Sequence, residues 1–178
     1  MKKKNLTLNL TQNALMCACA IVLSIFESFI PDLPFIIPGM KPGLANIVTM
    51  TAIEGFGFPS ALYVTVAKSV FVLITRGFTA FLMSFSGGLA SMLVMYLLLK
   101  SKAFSFGCIG TGIAGAFTHN IAQLAMASLL TDTLIFFYLP IISLISFVTG
   151  TITGTAVYFI LPPVLNALKT DKNSAKYT

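Results

Sequence analysis

Leu89-Ala90-Ser91-Met92-Leu93-Val94-Met95-Tyr96-Leu97-Leu98-Leu99 is eleven residues without a charge, ended by Lys100. A transmembrane β-strand would alternate apolar and polar positions over about ten residues, and this run does not. Leu134 to Ile145 reads the same way, so the apolar segments are helices. Working outward, the 178 residues are 57% apolar and 9% charged, against about 45–50% and about 25% in a soluble domain. Eleven Lys and Arg with five Asp and Glu cannot cover a water-facing surface of this size, so most of the exterior faces lipid.

At about 20 residues per crossing the chain accommodates six spans, short loops and two tails. They are expected at about 13–30, 43–54, 59–75, 78–99, 106–130 and 136–161. The fold class is thus an all-α integral membrane protein, a six-transmembrane-helix bundle forming a single membrane domain over 1–178. Between the first two spans stand Pro31, Pro34, Pro38 and Pro42, which preclude a regular helix and predict a stiff, apolar loop. The last span is expected to stop before Pro162-Pro163. Met1-Lys2-Lys3-Lys4 looks like the start of a secretory signal, but no small-residue cleavage site follows, so the first helix is read as retained. Cys17, Cys19 and Cys108 are odd in number and lie in apolar segments, which gives neither a disulfide framework nor a metal pair.

Basic residues near helix ends are retained on the cytoplasmic side. With both termini cytoplasmic, Lys2, Lys3, Lys4, Lys100, Lys102, Lys169, Lys172 and Lys176 obey that rule, and Lys41, Lys68 and Arg76 break it. Lys68 falls about 13 Å along the third span, near the midplane of a ~30 Å core, where a lysine costs at least ~2.5–3.5 kcal/mol unless paired or wetted. His119 and Gln123 are one turn apart on the fifth span, with Asn120 beside them. Asn46 lies near the outer end of the second span, Ser84 and Ser86 in the outer half of the fourth, and Glu27 at the end of the first.

Two readings follow. In one, Asn46, Lys68, Arg76, Ser84, Ser86, His119, Asn120 and Gln123 line an outward-facing cavity beneath the proline-rich loop, with Pro34, Pro38 and Lys41 at its mouth, and the basic groups favour an anionic ligand. In the other, these groups satisfy one another: Glu27 pairs with Lys68 or Arg76, and the amides cross-link helices. A single histidine builds no metal site, and no cofactor is expected. Small residues four apart, Gly110 with Ala114 and Gly150 with Gly154, suit close helix packing, whereas Ala14 and Ala18 near the cytoplasmic end are also placed to meet a partner. Membrane sorting accounts for the net charge of +6, so nucleic acid is not an expected partner.

Three motifs in order, Lys41-Pro42-Gly43-Leu44-Ala45-Asn46-Ile47-Val48-Thr49, Ser84-Phe85-Ser86-Gly87-Gly88-Leu89-Ala90-Ser91 and Gly115-Ala116-Phe117-Thr118-His119-Asn120-Ile121-Ala122-Gln123, resemble the Gx transporter family, also labelled heptaprenyl diphosphate synthase component I. The resemblance covers about residues 10 to 165. That family is similar to the six-helix substrate-binding S components of energy-coupling-factor importers. The likeness implies that the loop from Pro31 to Pro42 gates the pocket and that Ala14 and Ala18 contact a transmembrane coupling subunit. It implies a multi-pass subunit in the plasma membrane of a bacterium that binds a small molecule and works with ATPase partners.

The chain has no GxxxxGK[ST] phosphate loop and no segment long enough for an ATPase, so it is not expected to power uptake itself. The other label implies an accessory membrane subunit of polyprenyl diphosphate synthesis. Glu27, Asp32, Glu54, Asp132 and Asp171 are all scattered, which leaves no aspartate-rich motif to hold Mg²⁺ on a diphosphate. Catalysis by this chain is therefore not expected.

Overall fold

The computed structural model describes residues 2–30, 41–101, 107–131 and 136–174, which form six α-helices and one 3₁₀ turn, with no strand among them. Helix α1 is Lys2–Phe29, α2 Asn46–Phe56, α3 Phe58–Arg76, α4 Phe78–Lys100, α5 Cys108–Thr131 and α6 Leu139–Ser174, the last preceded by the turn Phe136–Tyr138. Five of the six are long and apolar enough to cross a membrane. Helix α2 is not, because 11 residues reach only about 16 Å, about half of a ~30 Å core. It is instead the buried centre of the bundle: Asn46, Val48, Thr49, Met50, Thr51, Ala52 and Ile53 are all buried, and α2 touches each of the other five helices. Pro34 and Pro38 lie outside the described residues.

Single glycines join α2 to α3 and α3 to α4. Gly57 and Gly77 adopt φ of 89° and 87° with extended ψ, a region that a β-carbon makes costly, so each chain reversal depends on the missing side chain. Helix α6 departs from expectation. It runs through Pro162 and Pro163 instead of ending before them. The two prolines withdraw the hydrogen bonds that Tyr158 and Phe159 carbonyls would accept, but both residues are exposed, near the end of the span, where water or a side chain can serve those oxygens.

Helix α5 packs most extensively on α6 and next on α4. The α5–α6 contact is a backbone contact. A β-carbon on Gly150 would lie 2.4 Å from the Ile113 Cα, and one on Gly154 would lie 2.4 Å from the Ile109 Cα. On α5 the glycine that meets them is Gly112, whose β-carbon would lie 2.6 Å from the Gly150 carbonyl. Gly112, which the four-residue spacing did not single out, therefore takes part in this crossing, because helix rotation as well as spacing decides which residue faces the neighbour. Helix α1 lies at the edge, against α3 and α2. Its opposite face exposes Ala14, Leu15, Ala18, Val22, Phe26 and Phe29.

Candidate functional site

Four helices each turn a pair of residues three or four apart toward one interior point. Helix α1 contributes Ser24 and Glu27, α4 contributes Ala80 and Ser84, α5 contributes His119 and Gln123, and α3 contributes the stripe Lys68, Val72 and Arg76. Lys41, just before α2, completes the lining. The void between them is small, about 10 Å³ measured at the centre of a water molecule, which is room for roughly one water.

Two glycines hold the His119 ring from opposite sides. A β-carbon on Gly43 would lie 2.8 Å from its Cδ2, and one on Gly87 would lie 3.0 Å from its Cε1 and 2.9 Å from the Gln123 Cγ. Gly43 also has φ of 78°, so the conformation and the space both demand glycine. Gln123 Nε2 and His119 Nε2 are 3.0 Å apart, one turn along the same helix. That contact fixes the ring but leaves His119 Nδ1 and Gln123 Oε1 buried without partners. Both polar atoms of Asn46, beside Gly43 and the ring, are also buried and unpartnered.

The charged groups are disposed unequally. Arg76 donates to the Ser24 carbonyl at 3.1 Å and to the Ser28 hydroxyl, which ties α3 to α1. Lys41 Nζ donates to the Ile30 carbonyl at 2.9 Å. Glu27 Oε1 accepts the Ala45 N–H at 2.9 Å, pinning the entry of α2 to the end of α1. Lys68 is 3% exposed, yet it makes no hydrogen bond or ion pair among the described residues. Among the described residues, three cationic side chains thus surround the void against one carboxylate, Glu27.

Of the residues singled out from sequence, Lys41, Lys68, Arg76, Ser84, His119 and Gln123 line one void. Asn46 adjoins His119 without lining it. Ser86 and Asn120 are not brought to the void. Ser86 is about 200° around α4 from Ser84 and bonds the Met83 carbonyl, while Asn120 is about 100° from His119 and donates to the Ser146 hydroxyl on α6 at 2.8 Å. Arg76 and Asn120 thus have hydrogen-bond partners on other helices, while Lys68 shares the void with Glu27 without a direct hydrogen bond or ion pair among the described residues. Ser24 and the two clamping glycines were missed. Ser24 shares a face with Glu27 at three-residue spacing, a signal that was available; the glycines carried none, since their role depends on a ring from another helix. No group of three His, Cys, Asp or Glu among the described residues is placed to hold a metal ion.

Five long apolar helices closing around buried basic and amide groups define a multi-pass membrane protein with an intramembrane polar site. The sequence model of the family described as heptaprenyl diphosphate synthase component I matches residues 16–160, and the chain belongs to that family. No curated protein and no solved structure matches the chain.

Proposed function

We propose that this chain is the membrane-embedded substrate-binding subunit of an energy-coupling-factor-type importer and that it captures a small, anionic molecule between its helices. The observation that carries the reading is Lys68, a buried amine that makes no direct hydrogen bond or ion pair among the described residues, facing the same void as Glu27 and the orphaned Gln123 Oε1 and His119 Nδ1. A buried unsatisfied polar group costs about 1–3 kcal/mol, and an intramembrane lysine costs more, so a site that retains all of them has a use for them when occupied. The void accepts about one water, so a larger ligand requires the surrounding helices to separate.

In this reading both termini are cytoplasmic, α2 serves as a half-span at the outer side, and the loop containing Pro34, Pro38 and Lys41 gates entry. The exposed Ala14 and Ala18 face a transmembrane coupling subunit, and separate ATPase subunits supply the energy. Closure over the ligand must be driven by its higher affinity for the closed form. Mass spectrometry of small molecules retained by the purified protein tests the reading: one anionic compound is expected with the wild type and is lost in Lys68→Ala. Equal retention by both proteins removes Lys68 from the site.

The family's description favours a second reading, an accessory subunit of heptaprenyl diphosphate synthesis. Here the basic groups would hold a diphosphate and a separate catalytic partner would do the chemistry. Measuring prenyl chain elongation by that partner with and without this chain separates the two. Stimulation that Lys68→Ala abolishes supports the synthase role; unchanged elongation, together with a retained small molecule, supports the importer.

A further inference from the structure

A second cavity lies at the other end of the bundle. It is much roomier, about 350 Å³ measured at the centre of a water molecule. Asn9, Gln12 and Asn13 of α1 line it, some 22 Å along that helix from Glu27. Phe56, Pro59 and Ser60 close it at the α2–α3 turn and Leu168 of α6 forms the remaining wall. Asn9, Gln12 and Asn13 stand in the first two turns of the apolar span Thr7–Phe29, Pro59 and Ser60 in the first turn of Phe58–Arg76 and Leu168 at the end of Leu139–Leu168.

Among the described residues the lining is rich in donors and free of carboxylates, with three primary amides and one hydroxyl. Ser60 is only 6% exposed, lines the cavity, and its hydroxyl has no hydrogen-bond partner among the described residues. Gln12 and Asn13, both half-buried, likewise make none. The first intrahelical bond of α3 runs from the Ala61 N–H to the Gly57 carbonyl, so the N–H groups of Phe58 and Ser60 precede the ladder and leave the positive end of the helix dipole at the cavity. Phe56, Pro59 and Leu168 add an apolar wall. Helices α1 and α6 share no extensive packed interface among the described residues, and the cavity lies between them.

We propose that this cavity seats the phosphate of a bilayer phospholipid, with its acyl chains running up the gap between α1 and α6. The Ser60 hydroxyl, the amide N–H groups of Gln12 and Asn13 and the start of α3 would donate to the phosphate oxygens. The site is separate from the void around Lys68, and the proposal does not depend on how that void is used.

Native mass spectrometry of the full chain in mild detergent with added phosphatidylglycerol tests it. The wild type and the control Ser86→Ala should retain one lipid per chain, and Ser60→Ala combined with Asn13→Leu should retain it about tenfold more weakly, as expected for two lost hydrogen bonds. Asn13→Asp preserves side-chain size and sets a carboxylate against the phosphate, so it must also weaken retention, while Ser60→Thr must preserve it. Lipid retention that is unchanged in Asn13→Asp, or that is absent in the wild type, overturns the proposal. Displacement of the lipid by millimolar inorganic phosphate would make the free anion the occupant and would equally overturn it.

Discussion

Lys68 is buried in the bundle interior, with Glu27 the one carboxylate beside it among the described residues that line the void, and this sets stability against function at one position. Lys68→Met keeps the length of the side chain and removes the desolvated ammonium. Thermal unfolding of the variant should shift upward by about 2–4 °C for each kcal/mol recovered, while ligand retention is lost. A fall in melting temperature would mean that the lysine is a structural tie after all. Gly87→Ala tests the other half of the site. Its new methyl would press on His119 and Gln123, and overpacking of this kind costs about 1–3 kcal/mol, so both stability and ligand retention should fall. Lys68, His119 and Gln123 were legible in sequence because polar side chains stand out in apolar runs and two of them repeat at one turn. The clamp by Gly43 and Gly87 was not, since absent side chains announce nothing about the ring that needs the room.

Helices were read from apolar runs to within a few residues on α3, α4 and α5, where a charge or a glycine ends each run. Proline misled the reading of α6, because the rule that proline ends a helix assumes a chain with better alternatives in water. In lipid, breaking the helix would expose more backbone than the two prolines do. Close approach of α5 and α6 gives a prediction at this scale. Gly150→Ala places a methyl against backbone atoms that cannot rotate away and should destabilise by about 1–3 kcal/mol or more, measured by thermal unfolding in detergent. Gly77→Ala meets nothing within 4 Å, and its cost, about 1–3 kcal/mol, comes only from the positive φ with extended ψ. If Gly77→Ala proves the more harmful of the two, the tight α5–α6 crossing is not the tighter constraint on the fold.

Across the whole molecule, two polar cavities stand at different depths, one around Lys68 and one at the far end of α1, and the apolar cluster built on Met50, Ala52, Val64, Met92 and Met95 fills the bundle interior. The composition revealed that a membrane was the solvent, and charge sorting suggested which way the chain faces. Only the arrangement of helices shows that α2 is enclosed and α1 peripheral. Two experiments belong to this scale. Cysteines placed at positions 3 and 172 in an otherwise cysteine-free chain should be shielded from an impermeant thiol reagent in intact cells and react after permeabilisation; labelling of either in intact cells would reverse the proposed orientation. Ala14→Trp with Ala18→Trp should abolish uptake while leaving the ligand bound, since both alanines are exposed and remote from the void. Normal uptake by that variant would leave the face to lipid alone.

The polar ties of α1 to Arg76, Ala45 and Lys41 all fall in its last two turns, around Ser24, Glu27, Ser28 and Ile30. Farther down, the helix leans on α3 through side chains such as Met16, Cys17 and Ala20, which slide more readily than hydrogen bonds break. A rod fastened at one tip behaves as a lever. A small displacement at the fastened tip, where Glu27 grips the entry to α2, is magnified into sideways travel at the opposite tip, around Asn9 and Gln12.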